Sequence, residues 1–129
     1  MNKLTLLVLP LLILCSCKDD GVSYHPSAAV FRIDLQSQFL DDSVRVAVDS
    51  RIVFSGRVRT NYSLSLAKSI SVDANAGQHD VLVQLVDPFW PTQKDTTVII
   101  SDTLTVAVSL DERSRTLYFY LYPFLLPYR

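Results

Sequence analysis

From Ala28 onward, apolar and polar residues alternate with a period of two, the spacing of a strand that buries one face. Phe31, Ile33 and Leu35 fall on one side of a first predicted strand, and Val44, Val46 and Val48 on one side of a second. Asp49-Ser50 reads as a tight turn into a third strand over Ile52 to Val58, so this pair is a predicted hairpin. Tyr62, Leu64, Leu66, Ile70 and Val72 continue the alternation. Lys68 falls in the same register, and because burying a lysine is costly, a bulge or break is expected over Ala67 to Ser69. Asn75-Ala76-Gly77 makes the next turn, and Val81, Val83 and Leu85 follow as inward positions. The stretch "DPFWPTQKD" interrupts as a loop before a strand over Thr96 to Ile100 and a turn at Asp102. Leu104, Val106, Val108 and Leu110 then alternate with Thr103, Thr105, Ala107 and Ser109; Asp111 to Arg115 turns the chain, and "TLYFYLY" is the last strand.

Short strands at spacings near ten residues, with no stretch of helical period, predict an all-β fold: a single antiparallel β-sandwich of about 7–8 strands over residues 28–129. No fixed period joins the strand pairs, which argues against a solenoid or propeller. The N-terminus reads differently. Met1-Asn2-Lys3 is a short positive region and Leu4 to Leu14 an apolar run, of secretory-signal length and shorter than the roughly 20 residues that span a bilayer. A signal peptide over residues 1–16 is expected and is set aside from the fold.

Cys15 and Cys17 close that run. A disulfide between residues two apart would be a strained small ring. Zinc needs about four ligands, and the only histidines, His25 and His79, are not in ligand spacing with the cysteines. Leu14-Cys15-Ser16-Cys17 resembles a bacterial lipobox, with a leucine three residues before the modified cysteine and a small residue just before it. The resemblance implies that Cys17 carries a diacylglyceryl thioether and, after cleavage, an acylated amino group, an anchor of several chains that holds durably where one would not. An ordinary secretory signal cleaved near Ser16 is the alternative.

Lys18-Asp19-Asp20 resembles the surface-export signal of Bacteroidetes lipoproteins, which implies an outer-membrane protein, lipid-anchored and facing the medium; a plain solvated tether on the periplasmic face is the alternative. "GVSYHPS", residues 21–27, completes a tether of residues 17–27, with Pro26 holding His25 out of the helical region.

The chain has 129 residues and a formal net charge of -1, which gives no electrostatic reason to bind nucleic acid. No cysteine lies beyond Cys17, so the sandwich holds without disulfides. The segments "VRVAVDSRIVFSGRV" and "LSLAKSISVDANAGQHDVLVQL", spanning roughly residues 44 to 86, resemble a small Ig-like or PEGA-like β-module in their turn residues. That resemblance implies a non-catalytic surface or adaptor module and names no ligand.

Candidate chemistry is sparse. His79-Asp80 lies among serines, but no Gly-x-Ser-x-Gly elbow is present, and His79 reads as a turn histidine after Gly77. Glu112 is the only glutamate, which weighs against paired catalytic carboxylates. The aspartates, among them Asp41, Asp42, Asp49, Asp73, Asp87, Asp102 and Asp111, sit mostly at strand ends, where this residue type favours turns; calcium at one rim is the competing reading. No metal or cofactor is expected.

Two aromatic features remain. Phe89-Trp90 is bracketed by Pro88 and Pro91, and Tyr118, Tyr120 and Tyr122 form a row on one face of the last strand, opposite Leu117, Phe119 and Leu121. These five residues are the candidate platform for a glycan or an envelope protein, since amphipathic rings join apolar area to a hydrogen-bonding handle. The competing reading is an aromatic strand enriched by β-propensity, its loop folded over the sandwich end. The expected function is a membrane-anchored surface lipoprotein with a non-catalytic binding or assembly role. A small envelope hydrolase or calcium-dependent enzyme is the alternative.

Overall fold

A computed structural model describes residues 28–129. The expected signal peptide, the expected lipidation site Cys17, the trio Lys18, Asp19 and Asp20, and the expected tether to residue 27 lie outside the described residues.

The chain runs through β1 (Ala28–Leu35), β2 (Leu40–Val48), β3 (Arg51–Arg59), β4 (Lys68–Asn75), β5 (Gly77–Leu85), β6 (Thr92–Ile100), β7 (Thr103–Asp111) and β8 (Thr116–Tyr122). They form two four-stranded sheets, in the orders β4-β1-β7-β8 and β3-β2-β5-β6. The sheets pack face to face on one hydrophobic core. Alternation supplies that core: Phe31, Ile33 and Leu35 of β1 meet Val106, Val108 and Leu110 of β7 on one inner face, and Val44, Val46, Val81 and Val83 cover the other. The fold is the all-β sandwich that the two-residue period predicts.

One pairing departs from the antiparallel expectation. β1 and β7 run parallel, Val30 opposite Thr103 through Leu35 opposite Val108, because both strands are entered from the same end of the sandwich. The β2–β3 hairpin turns as expected, with Asp49 and Ser50 both in the left-handed region (φ 49 and 65), the twist that suits a two-residue hairpin. The turns at Ala76 and at Ser101-Asp102 instead carry the chain across from one sheet to the other. Gly77 has φ 129, a backbone state that side-chain-bearing residues rarely adopt.

Two further expectations are corrected. Tyr62, Leu64 and Leu66 do not continue a strand: residues 60–67 form a turn-rich loop held by Asn61 N–H donating to the Leu66 carbonyl at 2.9 Å, and β4 starts at Lys68. A loop side chain can be apolar without register, so alternation alone misleads there. The strand predicted from Thr96 begins earlier, at Thr92, because Gln93, Lys94 and Asp95 pair with Gln84, Val83 and Leu82 of β5.

The registers define two ends. Residue 28 lies at one end with the Asp49-Ser50 turn, Ala76, Ser101-Asp102 and the close of β8. The loops 36–39, 60–67, 86–91 and 112–115 gather at the other. Here Phe39, 0% exposed, closes the core from above. Its N–H donates to Thr60 Oγ1 at 3.0 Å, its carbonyl accepts from Thr60 N–H at 2.8 Å, and the Thr60 hydroxyl donates to the Gln36 carbonyl at 2.8 Å.

Candidate binding surface

The loop between β5 and β6 owes its shape to Asp87. Its Oδ1 accepts from the N–H groups of Phe89 (2.8 Å) and Trp90 (3.1 Å), an Asx turn that satisfies two loop donors at once. The Phe89 N–H, then that of Trp90, holds the Asp87 carboxyl below its ordinary range. Pro88 and Pro91 bracket the turn and fix two further φ angles. Both rings stand out from this rigid base: Phe89 is 83% and Trp90 70% exposed.

Two hollows flank the loop. One of about 480 Å³ is lined by Arg45, Gln84, Asp87, Pro88, Pro91 and Gln93, among others. The second, of about 280 Å³, lies between Asp41, Asp42, Arg57, Phe89 and Arg115. Arg115, at φ 54 in the β7–β8 turn, reaches Asp42 at 3.1 Å and Asp87 at 3.7 Å, tying this turn to the aromatic loop. Arg57 pairs with Asp41 at 2.9 Å across the rim.

The tyrosine row forms on the outer face of β8 as expected, but it is a separate feature. Tyr118 and Tyr120 are 43% and 48% exposed, whereas Tyr122 is half-buried with its ring 5.6 Å from that of Phe124. Among the described residues, no ring pair joins Phe89 or Trp90 to the tyrosines. Lys94 approaches the row from β6, its Nζ 5.8 Å from the Tyr118 ring and donating to the Leu117 carbonyl at 3.2 Å. The five candidates therefore make two surfaces, a loop tip and a strand face.

Sequence reasoning missed a third feature. After β8 the segment Pro123 to Arg129 lies back across the outer face of the β4-β1-β7-β8 sheet as a strap. Thr105 Oγ1 donates to the Phe124 carbonyl at 2.7 Å, and Arg32 Nη2 to the Leu126 carbonyl at 2.7 Å. Beneath it Asp34, an outward position of β1, is 0% exposed. Its carboxylate accepts from Arg32 (2.9 Å), Ser69 Oγ (2.6 Å) and the Tyr128 hydroxyl (2.8 Å), so the buried charge is both paired and hydrogen-bonded. Burial, reinforced by the neighbouring Asp34 carboxylate, pushes the Tyr128 phenol up to about 12. The available signal was an aspartate set between the inward residues Ile33 and Leu35 of a strand rather than in a turn, together with a proline-flanked aromatic tail.

His79 has a structural engagement. Its Nδ1 lies 2.6 Å from Asp49 Oδ2 and its Nε2 2.7 Å from the Asn75 carbonyl, so the ring clasps the β2–β3 turn to the end of β4. The hydrogen bond to Asp49 raises the imidazole's pKa, and the same bond lowers that of the carboxyl. The clasp's contribution to stability is therefore present between these two values, fading as pH rises through the raised histidine value and as it falls through the lowered aspartate value. Both ring nitrogens are engaged, leaving neither to activate a nucleophile in this arrangement.

Local backbone contacts engage other aspartates: Asp111 Oδ1 accepts from Arg113 N–H at 2.9 Å in the β7–β8 turn, and Asp42 Oδ2 accepts from Leu40 N–H at 2.9 Å across the register shift that opens β2. Among the described residues, no three His, Cys, Asp or Glu side chains come together in a group that could hold a metal ion. Fold and surface define a β-sandwich protein with an exposed aromatic loop. No family model matches the chain, and no curated protein matches it.

Proposed function

We propose that this chain is a lipoprotein anchored through Cys17 in a bacterial outer membrane, whose sandwich binds a glycan or protein partner with Phe89 and Trp90. The observation that carries the reading is where the rings stand. The tether joins β1 at residue 28, and the aromatic loop occupies the opposite end of the sandwich. β5 is 9 residues long, which sets the two ends roughly 26 Å apart at ~3.3 Å per residue. Two large rings on a proline-braced turn, held at the end of the sandwich opposite residue 28, offer a partner apolar area at little cost in conformational entropy.

Anchoring and binding are tested separately. Cys17→Ala is expected to leave the membrane fraction or to accumulate as uncleaved precursor, while Cys15→Ala stays with the membrane; lipid labelling that survives loss of Cys17 overturns the anchor. Because Trp90 is exposed, Trp90→Ala is expected to keep its unfolding midpoint. A screen of glycans and envelope proteins should show binding weakened about fivefold or more, since a stacked ring is worth roughly 1 kcal/mol or more. Ligand binding undiminished by Trp90→Ala would remove the loop from the proposal.

A further inference from the structure

The four sheet edges are not alike. β3 carries Arg51, Arg57 and Arg59, β4 carries Lys68 and Asp73, and β6 carries Lys94 and Asp95, all exposed. Such charges keep an open edge from pairing with another chain. β8, the edge of the β4-β1-β7-β8 sheet, has no charged residue from Thr116 to Tyr122, and Tyr118, Tyr120 and Leu121 on it are exposed.

Its outward backbone groups fall in a defined register. The Leu117 carbonyl accepts from Lys94 of the other sheet, so it points away from β7, and by the two-residue period of a strand the backbone groups of Phe119 and Leu121 point the same way. The sequence of this edge is a palindrome: Leu117-Tyr118-Phe119-Tyr120-Leu121 reads the same in both directions. In an antiparallel pair centred on Phe119, each residue meets one of its own type, Phe119 with Phe119, Tyr118 with Tyr120 and Leu117 with Leu121. Aromatic and apolar residues placed opposite one another are the pairs that stabilise a sheet. An isologous two-fold interface requires this self-complementarity.

We infer that β8 is a self-association edge, pairing antiparallel with β8 of a second copy about a two-fold axis at Phe119 and joining two four-stranded sheets into one of eight. Leu117 lies within that ladder, so its carbonyl accepts from the Leu121 N–H of the second copy beside or in place of Lys94 Nζ, which holds it at 3.2 Å in the single chain. The joined strands run in opposite directions, so the residue-28 ends of the two copies lie at opposite ends of the continuous sheet. The inference stands on the strand alone and does not depend on what Trp90 contacts.

Sedimentation of the full chain purified in detergent tests it. The chain is expected to dimerise at concentrations up to about 100 µM, and Tyr120→Lys to raise the dissociation constant at least about tenfold without moving the unfolding midpoint. Leu121→Pro removes an edge donor without touching the β7 ladder and should act the same way, which covers the case in which the lysine disturbs folding. Tyr118→Asp combined with Tyr120→Lys sets opposite charges across the two-fold and should restore the dimer. A wild-type chain that stays monomeric overturns the inference, including one whose edge instead captures an extended segment of another protein. So does a dimer that withstands both edge variants, or one that the charge pair fails to restore.

Discussion

Phe39→Ala is expected to destabilise the sandwich by about 3–5 kcal/mol, the cost of emptying a fully buried aromatic site. A domain of this size holds roughly 5–15 kcal/mol in total, so the variant is left with a small margin or unfolds at growth temperature. The site has little means of collapsing. Phe39 is 0% exposed, and its backbone is fixed on both sides by Thr60, so the loop cannot slump into the void without giving up those bonds. Urea unfolding checks it: the midpoint should fall while the slope stays that of the wild type. A loss under about 1 kcal/mol would mean that the far end of the core closes without this ring.

The second large effect is expected at Asp34. Asp34→Ala removes the acceptor for Arg32, Ser69 and Tyr128 together, and breaking a buried pair on one side costs about 3 kcal/mol or more, because the partner charge stays desolvated. Arg32 retains some exposure and can partly rehydrate, which keeps the expectation at the lower end of that range. Tyr128→Phe deletes only the phenolic hydrogen bonds and should cost about 1 kcal/mol. The two differ in a second readout. With Asp34 gone, the strap from Pro123 to Arg129 loses its central seat and should be cleaved by chymotrypsin at Phe124 faster than in the wild type. Equal cleavage rates in Asp34→Ala and wild type would show that the Thr105 and Arg32 contacts to the strap carbonyls suffice alone.

That strap marks where reading the chain stops being enough. Asp34 sits at an outward position of β1, and by pattern an outward aspartate faces water. It is buried because a segment 94 residues later in the chain folds onto it. Nothing local to either segment encodes the meeting. Phe39 is a similar case, lying in a short link between strands with no periodic neighbours, and only the closing of loops 36–39 and 60–67 over the core makes it interior. Tyr62 and Leu64 show the converse, with strand-like spacing in a segment that the chain uses to cross between sheets and leaves exposed.

By itself the sequence determined the all-β class, the inward set Phe31, Ile33, Leu35, Val44, Val46, Val48, Val81, Val83 and Leu85, and the turns at Asp49-Ser50 and Asp111 to Arg115. These follow from a two-residue period and from turn chemistry, both of which act over a few neighbouring positions. Tertiary structure alone decided the parallel pairing of β1 with β7, the split of the five aromatic candidates into a loop tip and a strand face, and the burial of Asp34. Each depends on which strand lies beside which, and side-chain alternation is the same whether a strand's neighbour is parallel or antiparallel, central or absent.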